Sequence, residues 1–115
     1  MNRFYVLLEN GRSFMLDDGY YWDSKFHGVF TSIEKAKSMC NKLIEEFVNN
    51  LKEDGYGDYL EDRYKDYGWD YKNNHYSRRL ECTIFEDAVF NYEIFSVEID
   101  PEDPARLTYC TGKEN

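Results

Sequence analysis

Apolar and polar positions along this chain follow two rhythms, and the change between them marks its parts. From Ile33 to Leu51 the residues Ile33, Ala36, Cys40, Leu43, Ile44, Phe47, Val48 and Leu51 recur at spacings of three, four and seven. Glu34, Lys35, Lys37, Asn41, Lys42, Glu45 and Glu46 lie mostly outside that stripe. The pattern predicts an amphipathic helix of about five turns packed against a sheet. Thr31, with Glu34 three residues on, has the form of a capping box at its start, and Gly55 is a natural stop.

Strand rhythm governs the rest. Phe4 to Leu8 is a continuous apolar run, followed at once by Asn10-Gly11. Asn-Gly between apolar segments predicts a type I′ hairpin turn, with Ser13 to Leu16 as the returning strand. Asp17-Asp18-Gly19 marks a further turn, and Lys25 to Phe30 reads as a strand. Tyr20, Tyr21 and Trp22 fit either a short strand or an exposed aromatic loop. Asn73-Asn74-His75 reads as a loop. Leu80, Cys82 and Ile84 alternate with Glu81 and Thr83, as Phe95, Val97 and Ile99 do with Ser96 and Glu98, giving two half-buried strands. Pro101 closes the second, and Leu107 to Cys110 adds a short edge strand before a polar tail. The expectation is one α+β domain over residues 1–115: a single antiparallel sheet, one long helix packed on one face, and a second short acidic helix.

That second helix rests on the stretch from Asp54 to Tyr71. Asp58, Asp62, Asp66 and Asp70 recur four residues apart, while Tyr56, Leu60, Tyr64, Tyr67 and Tyr71 recur at three and four. On a helical wheel the two sets occupy opposite arcs, with Trp69 on the acidic one. A helix from Asp58 to about Tyr67 would bury tyrosines and show solvent a ladder of carboxylates. Like charges at this spacing weaken an isolated helix by roughly 0.2–0.5 kcal/mol per pair, and Gly55, Gly57 and Gly68 weaken it further.

Composition narrows the partners. With 115 residues, 42 % hydrophobic and 18 % aromatic, the chain is large enough for a core without disulfides or metals. Its net charge of −9 repels phosphate backbones and anionic membranes and attracts basic protein surfaces. Direct binding of nucleic acid or membrane is therefore not expected. Cys40, Cys82 and Cys110 are far apart and form no C-x-x-C pair, which suits small hydrophobes in a reducing cytoplasm. The N-terminal run reaches Glu9 and Asn10 too soon for a signal-peptide core, and no apolar run has the length of a membrane span.

Candidate chemistry is sparse. His27 and His75 are the only histidines, and neither lies beside a G-x-S-x-G elbow or a spaced cysteine set. Asp54, Asp58 and Asp62 miss the calcium-loop pattern, because Tyr59 and Lys65 stand where Gly and Glu belong. Gly55-Tyr56-Gly57 is too short for a phosphate loop and lies among acids. The expectation is no catalytic residue, no cofactor and no metal.

The junction Gly28-Val29-Phe30-Thr31-Ser32-Ile33-Glu34-Lys35-Ala36 resembles a pattern in small uncharacterised proteins of bacterial and phage genomes. Such proteins open with a tyrosine-bearing strand like Phe4-Tyr5-Val6-Leu7-Leu8 and close with one like Phe95-Ser96-Val97-Glu98-Ile99-Asp100. The resemblance covers about half the chain. It implies a compact α+β fold and a prokaryotic or viral origin, but no activity; residues 54–79 have no counterpart and form an acidic, aromatic insertion. Carboxylates one helical turn apart lie roughly 6 Å from one another, near the phosphate repeat of a nucleic-acid strand. The expected function is a protein-binding inhibitor, of the anti-CRISPR or wider anti-defence kind, occupying a basic surface of a nuclease or defence complex. Asp58, Glu61, Asp62, Asp66 and Asp70 would supply charge, and Tyr59 and Trp69 the aromatic anchors. The alternatives are a housekeeping interaction module, such as a homodimer using edge strands or Tyr20-Tyr21-Trp22, and a small enzyme.

Overall fold

The computed structural model describes residues 2–15, 19–84, 88–99 and 107–110. Its elements are β1 (Asn2–Met15), β2 (Gly19–Phe30), α1 (Ile33–Glu53), a 3-10 turn (Gly57–Tyr59), α2 (Leu60–Arg63), β3 (Tyr64–Lys72), β4 (His75–Cys82), β5 (Ala88–Ile99) and β6 (Leu107–Cys110). The strands form one antiparallel sheet in the order β2-β1-β5-β4-β3. Beyond Phe95, where β4 stops, β6 takes over the same edge of β5 from Ser96 to Ile99. The chain is an α+β protein. No helix among the described residues is long and apolar enough to cross a membrane.

Register explains the core. Leu7 of β1 stands opposite Ile94 of β5, and Tyr92 stands between Glu9 and Arg78. Leu7, Tyr92 and Ile94 join Leu80 of β4 in one buried cluster with Ala36, Cys40 and Ile44 of α1. Ile33, Leu43 and Val48 pack partly against it, so the helix stripe read from spacing is the stripe that meets the core. In β5 the alternation also buries Ser96, while Phe95 points the other way and stacks on His75 at 4.5 Å and 13°.

Several expectations are corrected. Asn10-Gly11 is not a turn, because β1 runs straight through it. Asn10 donates to Glu93 and accepts from Ser24, and a Cβ on Gly11 would lie 3.1 Å from the Phe90 ring. Here glycine admits an aromatic ring rather than a reversal. The Asp17-Asp18-Gly19 turn falls mostly on residues outside those described, as do Pro101 and the polar tail. Tyr20 to Trp22 lie within β2 as strand. The loop expected at Asn73-Asn74-His75 is a tight turn at Asn73-Asn74, with φ of 52° and 63°, the type I′ signature, and His75 opens β4 rather than sitting in the loop.

The helix cap is Ser32, not Thr31: its side chain accepts from the Lys35 backbone N–H at 3.2 Å. Lys35 occupies the position where a capping box needs an acid, so no reciprocal bond forms. Gly55, with φ of 91°, follows the end of α1 as expected.

The segment after it differs most. Helical structure stops at Arg63, and Tyr64 to Lys72 is strand, not helix. Tyrosine and tryptophan suit a pleated surface, and pairing with β4 satisfies backbone groups that a glycine-containing helix would hold weakly. A bulge between Asp66 and Trp69, with Gly68 at φ 75°, converts strand alternation into the spacings of three and four that imitate a helix.

Candidate docking corner

The ladder expected along one helix is divided between two elements. Asp58, Tyr59, Glu61 and Asp62 lie on the short helical stretch from Gly57 to Arg63, and all four are exposed. Asp66, Trp69 and Asp70 lie on β3. Asp66 is committed within the fold: its carboxylate takes the Arg78 guanidinium in two hydrogen bonds, 3.0 Å to Nε and 2.5 Å to Nη2, and accepts from the Gly68 N–H at 2.9 Å. The Arg78 bonds hold its carboxyl below the usual range, against a partial burial that raises it. Arg78 also donates to Asn41 on α1 at 2.6 Å, so the pair ties β3 and β4 to the helix.

Trp69 is likewise engaged. Its ring meets Tyr76 edge-on at 6.5 Å, with the Arg78 guanidinium at 5.5 Å and the Lys37 ammonium at 5.7 Å. It is an internal clamp between hairpin and helix, not an exposed anchor. Asp70 remains exposed, opposite Ser77.

What remains together is a corner built on Arg63. After α1 ends, the Tyr56 N–H returns to the Leu51 carbonyl at 2.8 Å, which sets the short helical stretch beside the helix end. Arg63 then joins the sheet. The Thr83 N–H donates to its carbonyl at 2.8 Å, and its Nη1 donates to the Thr83 carbonyl at 3.3 Å. Arg63 lines two cavities, and the first, of about 260 Å³, is lined among the described residues by Tyr56, Tyr59, Arg63 and Ile84. The Tyr56 and Tyr59 rings are 6.4 Å apart and inclined at 44°. The second, of about 290 Å³, has as its charged lining among the described residues Glu61, Asp62 and Glu81 with Arg63 and Lys65. Glu81 accepts from Tyr67 at 2.7 Å and from Arg79 at 2.6 Å, and these bonds lower its carboxyl below the usual range. No described side chain hydrogen-bonds or ion-pairs with the carboxylates of Asp58, Glu61 or Asp62.

Of the residues singled out by sequence, Tyr59, Glu61 and Asp62 line these cavities and Asp58 adjoins them; Asp66, Trp69 and Asp70 do not. Sequence reasoning missed Arg63 and Ile84, which approach only when Thr83 bridges to Arg63. Helical spacing puts Tyr56 on a buried face, and its distance of three residues from Tyr59 on one turn is the signal that joins them.

Among the described residues, Cys40 and both histidines are held in the fold. Burial pushes the Cys40 thiol up to about 12, against the nearby Arg78, so it stays protonated and acts as packing. His27 lies 2.8 Å from Glu9, and His75 lies 3.1 Å from Glu93. Among the described residues no group of three or more His, Cys, Asp or Glu could hold a metal ion. Comparison with protein-family models, with curated proteins and with solved structures gives no match.

Proposed function

We propose that the chain is a non-enzymatic, acidic protein-binding module that docks a basic protein surface through Asp58, Tyr59, Glu61 and Asp62. One observation carries this reading: four exposed side chains project from seven residues, and no described cation occupies their carboxylates. A charge of −9 directs them to cationic partners and away from nucleic acid and membranes. The small size, the charge and the phage-like strand-to-helix junction favour an inhibitor of a nuclease or defence complex, acting in the host cytoplasm. Asp70 adds charge at a distance, whereas Asp66 and Trp69 serve the fold. In this reading α2 is the acidic second helix, and α1 covers the sheet face that holds Leu7, Leu80, Tyr92 and Ile94.

The test is capture of purified candidate nucleases and defence complexes at low and high salt, using the chain and its E61K/D62K variant. A charge-led complex weakens steeply as salt rises and is lost in the variant. Capture that survives both changes rejects the corner as the docking surface.

A second reading rests on a separate observation. Phe26 and Val29 of β2 are 64 % and 54 % exposed, next to Leu8 and Val6 on β1. They supply an apolar patch for a homodimer or another interaction. Face-to-face contact suits this patch better than edge pairing, because the β2 edge carries Lys25 and the bulge at His27-Gly28. Such a complex would resist salt.

A further inference from the structure

The β3 edge of the sheet differs from the rest of the surface in its charge and in what it leaves unpaired. Among the described residues β3 pairs with β4 on one side, and no strand pairs with its other side. Such an edge offers a row of backbone donors and acceptors to another chain. The chain carries a net charge of −9, yet β3 itself holds Lys65, Asp66, Asp70 and Lys72 and is neutral. Tyr67 and Tyr71 are 49 % and 55 % exposed along it, and tyrosine is a residue type that interfaces favour. We infer that two copies of the chain pair antiparallel through their β3 edges, with Lys65 of each opposite Asp70 of the other. This pairing is independent of the docking corner and of the apolar patch on β2.

The register follows from the faces on which the side chains stand. Tyr64 meets Phe47, Asp66 holds Arg78, Trp69 lies near Lys37 and Tyr71 packs on Tyr76, which places these four on the α1 face. Lys65 and Tyr67 stand on the other face, where Tyr67 donates to Glu81. The bulge between Asp66 and Trp69 resets the alternation, so Asp70 and Lys72 return to that same face. Residues opposite one another in antiparallel strands share a face. For two identical strands about a two-fold axis, two registers pair most of β3 with the faces matched. One is centred between Gly68 and Trp69 and sets Lys65 against Lys72 at both ends. The other is centred between Tyr67 and Gly68 and sets Lys65 against Asp70 at both ends, with Asp66 opposite Trp69 and Tyr64 opposite Tyr71. Opposite charges across a strand pair stabilise it and like charges weaken it, which selects the second. Asp70 is exposed, and no described side chain pairs with its carboxylate. Lysine and a bulge ordinarily guard an edge against pairing. Here each bulge faces its own copy, Gly68 brings no side chain to the axis, and each Lys65 meets an aspartate.

Sedimentation equilibrium of the full chain tests the pairing, with circular dichroism confirming that each variant is folded. The chain should form a dimer whose population rises with concentration. Asp70→Lys sets lysine against lysine at both ends and should weaken the dimer about tenfold or more. Lys65→Glu sets acid against acid and should weaken it likewise. An equal mixture of the two variants should dimerise again, because each copy then meets an opposite charge at both positions. Should the new acid beside Glu81 disturb the sheet, Lys65→Gln replaces it, and the mixed dimer should still exceed that of Asp70→Lys alone. A chain that stays monomeric at every concentration, a dimer indifferent to Asp70→Lys, or a mixture that stays monomeric overturns the pairing. A dimer lost in Phe26→Lys and kept in Asp70→Lys overturns it in favour of the β2 patch.

Discussion

Two stretches of this chain, Ile33–Glu53 and the residues from Gly57 to Lys72, carry helical spacing, yet one becomes a helix and the other turns into strand after seven residues. The first has an aliphatic stripe, charges of both signs outside it, and no glycine. Lys42 stands within a turn of Glu45 and Glu46, so the polar face supports the helix. The second has a tyrosine stripe, aspartates of one sign, and two glycines. Each property that weakens it as a helix suits an edge strand. Aromatic rings fit the pleat, Gly68 permits a bulge, and Arg78 on β4 holds Asp66 in a two-bonded ion pair across the strands. Spacing alone does not distinguish the two; the chemistry of both faces does.

The largest test of this contrast is truncation on each side. Ile44 is 6 % exposed and lies in the central cluster, so Ile44→Ala should cost about 3 kcal/mol. Leu60 on α2 is only half-buried, and Leu60→Ala should cost roughly 1 kcal/mol. Urea denaturation measures both. Equal losses would show that the corner and the core form one packing unit rather than two.

The same contrast shows which features were legible in the sequence. The α1 stripe was, because its buried residues obey a local period and need no knowledge of the sheet. So were the strands at Leu80, Cys82 and Phe95. The two asparagine pairs were legible only in part, since Asn73-Asn74 read as a loop but Asn10-Gly11 read as the hairpin turn. Asn10-Gly11 has the stronger turn signature, yet its glycine accommodates the distant Phe90 ring and its asparagine bonds Glu93; Asn73-Asn74 makes the turn. In the corner, Asp58, Tyr59, Glu61 and Asp62 were visible as neighbours in sequence. The cavity was not, since Ile84 reaches Tyr56 only through the pairing of Arg63 with Thr83. Contacts between residues distant in sequence leave no period to read.

Glycine substitution separates conformational from steric demands within the divergent segment. Gly68 has φ 75°, and a Cβ added there would find nothing within 4 Å, so Gly68→Ala meets no clash, only the left-handed backbone. That should cost roughly 1–2 kcal/mol. Gly57 needs no positive φ, and an added Cβ would make ordinary contact with Lys52 at 3.6 Å. Gly57→Ala should be neutral or slightly stabilising, by up to about 1 kcal/mol. Thermal unfolding of the two variants reads the difference directly. If Gly68→Ala left stability unchanged, the bulge would not be the device that diverts this segment from helix to strand.

The finest test removes the counter-charge that the strand acquired. Arg78 holds the Asp66 carboxyl below its ordinary value of about 3.9, which is also the value in the unfolded chain. Above that value both states are ionised, and the stabilisation is fully present. As pH falls below it, the unfolded chain takes up a proton first, and the contribution disappears through the lower folded value. Asp66→Asn should therefore cost about 1 kcal/mol near neutral pH, modest because the pair is partly solvated. The gap between variant and parent should close as pH falls through the acid limb, and differencing the two stability curves cancels the other carboxylates. A gap constant down to strong acid would mean that Asp66 contributes shape rather than charge. The strand would then owe its form to the tyrosines and the bulge alone.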